Sequence, residues 1–268
     1  MSAPETPIML ASRPLGDDWH VLPSFMPVPG MGTLAVNSFL LKGPEPLLVD
    51  TGLGALGDAF LFTLDELVDL KDLKWIWISH LDADHTGNLE RLLSAAPNAR
   101  VLTNFLGMGK MNLAGMDVSR VDLLMPDTPF SLGDRTLMPV QPVYYDAPET
   151  LGFLDDRAGA LFAVDSFGAL LPDVAETYGE IPDRALSDGL ASWSAIDAPW
   201  LGDVTPARFR QRLDLLAGLN PNYLLTAHLP PAQGDVTKLL SHMLRVQENL
   251  AASAQRDLLQ STKVAQRA

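Results

Sequence analysis

The strongest constraint on the fold is a hexapeptide, His80-Leu81-Asp82-Ala83-Asp84-His85. It follows the apolar run Trp75-Ile76-Trp77-Ile78-Ser79 and precedes Thr86-Gly87-Asn88 and a leucine-spaced segment. A short run that is apolar on both faces marks a strand in a sheet covered on both sides. Leu89, Leu92, Leu93 and Ala96 recur at helical spacing. The metal-capable side chains His80, Asp82, Asp84 and His85 therefore occupy the turn where a buried strand gives way to a helix. Side chains two apart in such a turn point the same way and can grip one ion. Imidazole suits borderline transition metals and carboxylate suits harder ones, which leaves zinc, iron and manganese open. The competing reading is a polar turn with helix-capping aspartates.

The rest of the chain supplies the scaffold. Residues 1–18 are rich in Pro, Ser and charge and read as a loose arm. Trp19–Met26 and Thr33–Leu41 read as half-buried strands around the turn Pro27–Gly32, and Leu47–Val49 as a buried strand ending at Asp50-Thr51-Gly52. Ala59–Leu70 has helical spacing, Leu73–Ser79 is a strand, and Arg100–Thr103 another, followed by a helical stretch to about Gly115. Val121–Met125, Phe130–Leu132, Arg135–Pro142, Val143–Asp146 and Ala160–Val164 continue the strand pattern. Thr205-Pro206 starts a helix that ends near Gly218, and Tyr223–Ala227 is a strand ending at His228. Asp235 is expected to cap a final helix that runs into a tail to Ala268. With no internal repeat and no Gly/Ser linker, residues 1–268 read as one domain. Hairpin groups with interposed helices predict an α/β fold, a four-layer αββα sandwich of two mixed sheets flanked by helices.

Composition narrows the chemistry. There is no cysteine, which excludes disulfides, thiolate zinc, iron–sulfur clusters and a cysteine nucleophile. A formal charge of −14 argues against nucleic acid or an anionic membrane as partner. No apolar run reaches membrane-spanning length and the N-terminus lacks a secretory pattern, so the expected location is cytoplasmic. Several strand ends carry a lone polar residue: Asp50, the hexapeptide, Asp146, Asp165 and His228. Each has a structural alternative as a turn or cap residue.

These stretches resemble the metallo-β-lactamase superfamily, whose usual signature is His-x-His-x-Asp-His after a strand. Val49-Asp50-Thr51-Gly52 matches a strand-end turn of the same superfamily, and the resemblance covers most of residues 20–233. The branch it is most similar to is the flavodiiron proteins and the stand-alone oxygen-binding diiron proteins, in which a carboxylate, usually Glu, stands at the position of Asp82. Asp146-Ala147-Pro148-Glu149-Thr150 is similar to that branch's His-x-Pro-Glu/Asp-Thr/Ser segment, and Val164-Asp165-Ser166-Phe167-Gly168 to its bridging-aspartate strand. Ala227-His228 falls where the final ligand histidine would.

The resemblance implies a two-metal site. His80, Asp82 and Asp146 hold one ion, Asp84, His85 and His228 hold the other, and Asp165 bridges. Asp146 departs from the pattern by replacing a histidine, and the oxygen-rich set shifts the balance from zinc towards iron or manganese. The implied function is binding or reduction of dioxygen, nitric oxide or peroxide, or oxygen sensing. Electrons would come from a separate donor protein, since no flavodoxin half and no rubredoxin cysteines are seen. The alternative is a metal-dependent hydrolase of an ester, lactone, thioester or phosphodiester using a metal-bridging hydroxide. Asp50 reads as orienting a ligand imidazole. Tyr144 and Tyr145 flank Asp146, Tyr145 being a candidate proton donor beside the ligands. Trp193 and Trp200 either line the entrance or pack. A small-molecule ligand is expected, and a homo-oligomer is an open reading.

Overall fold

The computed structural model describes residues 2–125, 127–234 and 236–265. It begins with two short strands, Ile8–Met9 (β1) and Arg13–Leu15 (β2), and a long hairpin, Trp19–Val28 (β3) and Gly32–Leu41 (β4). Leu47–Val49 (β5), Trp75–Trp77 (β6), Arg100–Thr103 (β7) and Val121–Leu123 (β8) follow, with helices Gly57–Leu67 (α1), Ala83–Thr86 (α2), Leu89–Ala95 (α3) and Phe105–Leu113 (α4) between them. The second half carries Phe130–Ser131 (β9), Thr136–Val140 (β10), Gly152–Asp155 (β11), Ala160–Phe162 (β12) and Leu170–Leu171 (β13). It ends with Asp183–Asp197 (α5), Pro206–Gly218 (α6), Tyr223–Thr226 (β14), Leu229–Gln233 (β15) and Thr237–Ala265 (α7). Asp235, expected to cap the last helix, lies outside the described residues.

Two mixed sheets result. The first runs β1-β3-β4-β5-β6-β7-β8, with β2 on β3 and β13 on β4. It is antiparallel through β5 and parallel from β5 to β8. The second runs β15-β14-β12-β11-β10-β9, with β12 and β14 its parallel pair. Successive strand side chains face opposite ways, and this alternation sorts the core into layers. Phe39, Leu41, Leu47, Val49, Trp77 and Leu102 turn towards the second sheet and meet Leu137, Phe153, Phe162 and Leu225. Their neighbours Leu40, Leu48, Ile76 and Val101 turn the other way onto Phe60, Leu64, Leu89, Leu92 and Met111 of α1, α3 and α4. Leu161 and Leu224 likewise face α5, α6 and α7 through Leu190, Phe209, Leu213 and Met243. The four-layer αββα sandwich is thus built from period-two strands with helices on both outer faces.

Aromatic rings lock the central layer: Trp77 meets Phe153 edge-on at 4.9 Å and Trp19 stacks on it at 5.7 Å. Fully burying each such ring contributes about 1.5–3 kcal/mol. At one end, buried Arg135 joins Asp155, 3.1 Å away, to Asp18, and the Trp19 indole donates to Asp155 at 2.8 Å.

Two expectations need correction, and one strand is unanticipated. The loose arm is not loose: β1 and β2 both pair with β3. Val143–Asp146 is a loop rather than a strand, because the ladder between β10 and β11 ends at Val140–Gly152 and Tyr144 then turns inward. Leu229–Gln233 forms a strand despite Pro230 and Pro231, which an edge position tolerates.

Candidate metal centre

The sheet topology brings the lone polar residues to one rim of the sandwich. Asp50 follows β5 and His80 follows β6, neighbouring parallel strands of the first sheet. Asp165 follows β12 and His228 follows β14, the parallel pair of the second. Asn37 of β4 ties the sheets together here: its amide N–H donates to the Ala227 carbonyl at 2.8 Å, and its side chain donates to the carbonyls of Thr226 and Leu229. The site therefore rests on strand ends of both sheets.

The hexapeptide opens into α2 with Asp82 at the N-cap position, yet the Asp82 side chain makes no capping hydrogen bond. The capping alternative thus fails for Asp82, whose carboxylate remains available. Gly87, at the end of the same turn, packs against the Asp50 loop so closely that a Cβ there would lie 2.4 Å from the Gly54 nitrogen. Thr51 N–H donates to the His85 carbonyl at 2.7 Å, fixing the turn to that loop.

Three imidazoles converge on one carboxylate. His80 Nε2 lies 3.2 Å from Asp165 Oδ2, while His85 Nε2 and His228 Nε2 each lie 3.1 Å from Oδ1. Asp84 approaches His228 at 3.5 Å and His85 at 3.7 Å, and Asp146 approaches His80 at 4.0 Å. The candidate ligand atoms of His80, Asp82 and Asp146 lie within 4.8 Å of one another, as do those of Asp84, His85 and His228, and those of His80, His85 and Asp165. His80, His85, Asp165 and His228 are all buried. All seven candidate residues are brought together.

The imidazoles are held by their other nitrogens. His228 Nδ1 donates to the Ala35 carbonyl at 2.8 Å, so its Nε2 faces the site with a lone pair in the neutral ring. His85 Nδ1 lies 2.8 Å from Asp50 Oδ2, which also accepts the Ser79 hydroxyl, while Asp50 Oδ1 accepts the Ser79 amide at 2.9 Å. Such partners fix the tautomer and orientation of a ligating histidine. The orienting role expected for Asp50 therefore has its geometry.

The donor set fits metal ions. His85 Nε2 and Asp165 Oδ1 are buried 3.1 Å apart without the alignment of a hydrogen bond. Bonds of about 2.0–2.2 Å place two ligands of one ion about 3–4 Å apart, the separations found here. Burial works against an imidazolium at His85, and the Asp165 and Asp50 carboxylates more than reverse it, raising the pKa well above the ordinary value. His228 is raised in the same way, chiefly by Asp165. Asp165 is driven well below the carboxylate range against its own burial, by His85, His80 and His228. Without a metal the protons must do what a cation does.

Backbone strain marks the same place. Val164, immediately before Asp165, has φ 54°, and Phe167 has φ 69°. A β-branched residue with positive φ is a genuine outlier, costing about 1–3 kcal/mol. The loop is over-determined by Tyr144, whose hydroxyl accepts the Phe167 amide at 2.7 Å and whose carbonyl accepts the Ser166 hydroxyl at 2.6 Å. Tyr144 is thus fully buried and engaged, and burial raises its pKa. Gly168 permits the tight return, since a Cβ would lie 2.5 Å from the Trp193 indole nitrogen and 2.8 Å from His228 Cβ.

Tyr145 packs on Trp200 with ring centroids 5.7 Å apart, and the Trp200 indole donates to the Tyr145 carbonyl. Trp193 lies over His228 at 4.6 Å and donates to the Asp165 carbonyl at 3.3 Å, so it covers the ligands as well as packing. Asp197, the last residue of α5, escapes sequence reasoning. A carboxylate oxygen there lies within 4.8 Å of Asp146 and Asp165. No motif surrounds it.

Comparison with known proteins agrees with this geometry. The metallo-beta-lactamase superfamily model matches residues 31–164. The chain is similar to the flavo-diiron protein FprA2 of Clostridium acetobutylicum, 22% identical over 202 residues that cover 72% of this chain and 48% of that one. It is also 27% identical to the type A flavoprotein fprA of Rhodobacter capsulatus, over 81% of this chain and 49% of that one. Across the curated relatives it matches, the chain spans between about a quarter and a half of their length. Among solved structures, a rubredoxin oxygen:oxidoreductase from the anaerobe Desulfovibrio gigas superposes with a TM-score of 0.74 at 18% identity, over 91% of this chain and 61% of that one. At that identity the shared property is the fold.

Proposed function

Because the chain belongs to the metallo-beta-lactamase superfamily, we propose that it is a dinuclear iron oxidoreductase that binds or reduces dioxygen, nitric oxide or a peroxide. The observation that carries the reading is the convergence of three imidazole Nε2 atoms on Asp165, flanked by Asp82, Asp84 and Asp146. In this reading His80, Asp82 and Asp146 hold one ion, Asp84, His85 and His228 the other, and Asp165 joins them. An iron pair supplies a binding place for a diatomic ligand and electrons for its reduction. The donor set favours iron or manganese over zinc because oxygen ligands are hard.

The protein's own residues do the rest. Asp50 and the Ala35 carbonyl hold His85 and His228 with Nε2 inward. Trp193 and Phe167 shield the Asp165 loop, and Tyr145 is the candidate proton donor beside Asp146. The names of the relatives, a flavo-diiron protein and a rubredoxin oxygen:oxidoreductase, support the redox reading. In this reading electrons come from a separate protein. The same reading locates the protein in the cytoplasm, acting on a small molecule, and is compatible with a homo-oligomer. No helix among the described residues is long and apolar enough to cross a membrane.

The test is spectroscopic. Iron-loaded, reduced protein should change its visible absorption on exposure to dioxygen or nitric oxide. No response, together with turnover of bis-p-nitrophenyl phosphate or an activated ester by the zinc-loaded protein, would establish the hydrolase alternative instead.

A further inference from the structure

We propose that Asp197 is a ligand of the ion held by His80, Asp82 and Asp146, and that it makes this position harder than its neighbour. The inference rests on the dinuclear reading above.

The first support is position. Asp197 closes α5 with a carboxylate oxygen within 4.8 Å of oxygens of both Asp146 and Asp165. The second is that the group has nothing else to do. Its Oδ2 is shielded from solvent and has no hydrogen-bond partner, and no Lys or Arg pairs with it among the described residues. Buried Asp155 shows what a structural carboxylate looks like here, since it accepts from the Trp19 indole, the Arg135 guanidinium and the Arg157 amide. Leaving a buried carboxylate oxygen unpaired is costly unless something bonds to it. Asp165, 2% exposed, also points into the site, where its Oδ1 meets only the His85 and His228 imidazoles.

The third support is rigidity. α5 is anchored by buried Leu186 and Leu190, by Trp193 donating to the Asp165 carbonyl, and by the Ala198 amide closing the last turn onto Ser194. A ligand on the end of a packed helix is held more precisely than one on a free loop. The two positions then differ in kind. The first has one nitrogen, from His80, with carboxylates from Asp82, Asp146, Asp165 and Asp197. The second has two nitrogens, from His85 and His228, with Asp84 and Asp165. Oxygen-dominated sets suit manganese and iron, and imidazole-rich sets suit zinc as well, so the first position should discriminate against zinc more strongly than the second.

The experiment titrates metal-free full-length protein with Mn(II), read by loss of the free-ion EPR signal, and separately with Zn(II) by calorimetry. Wild type is compared with Asp197→Asn, a substitution of nearly equal shape. The expected result is about a tenfold or greater loss of Mn(II) affinity, with the tighter of the Zn(II) events unchanged. Unchanged Mn(II) affinity in the variant, with wild type binding two ions, overturns the role of Asp197 alone. Wild type that takes up neither metal overturns the dinuclear reading and this inference together.

Discussion

Asp50→Asn isolates the control of a ligating imidazole from the ligand itself. Asp50 is 1% exposed, sits at φ 55° and accepts from the Ser79 amide at 2.9 Å and the Ser79 hydroxyl at 2.8 Å, with His85 Nδ1 also at 2.8 Å. Asparagine keeps the shape and tolerates the left-handed backbone. It has one acceptor oxygen, however, and the Ser79 amide can only donate, so the oxygen stays there. The new NH₂ then faces Ser79 Oγ and His85 Nδ1. That drives His85 to the tautomer with the proton on Nε2, the nitrogen that must be bare to ligate. Losing such an outer partner typically costs about 10–100-fold in metal affinity, or about 1.4–2.8 kcal/mol. Because the ligating tautomer, with its proton on Nδ1, would set donor against donor, the upper half of that range is expected. The assay is chelator competition on folded protein, with circular dichroism as the check on folding. An affinity within twofold of wild type would refute the argument that Asp50 sets the His85 tautomer.

Further outcomes follow from the same geometry. Gly168→Ala should lower metal stoichiometry, because the added methyl meets the Trp193 indole and His228 Cβ, and overpacking of this kind costs about 1–3 kcal/mol in a denaturant melt. Arg135→Ala should destabilise the fold by about 3–5 kcal/mol by stranding buried Asp155, with metal content per folded chain unchanged. The metal-free protein should have a particular pH profile. His85 and His228 are raised, so their contribution is full below about 6.5 and fades as pH climbs through their folded values, whereas that of Asp165 fades as pH falls below the carboxylate range. Thermal melts should therefore show stability declining above about pH 6.5, less steeply in His85→Asn, and metal should abolish that decline by displacing the protons.

Much of this centre can be read from the sequence because its densest part is local. His80, Asp82, Asp84 and His85 share one turn, and a strand of the strength of Trp75–Trp77 announces where that turn begins. Asp146, Asp165 and His228 are scattered over the chain, and only likeness to a known pattern joins them before the sheets do. The missed parts have physical causes. Helix α5 buries Gly189 and Ser194 beside Leu186 and Leu190, so its inward face alternates small residues with leucines. Asp197 went unseen with it. Val143–Asp146 carries a strand-like pattern because Val143 and Tyr144 are buried, yet their partners are the Ser166–Phe167 loop and not a ladder. The strand Leu229–Gln233 hides behind its prolines, which an edge excuses.

The central claim is that strand ends of two sheets build a cage for a pair of iron ions. Metal analysis of the full chain, expressed with iron supplied and purified without oxygen, tests it most directly. About two ions per chain with iron predominant are expected, falling in Asp165→Ala. Well under one ion per chain, or zinc alone after growth with iron in excess, would contradict it.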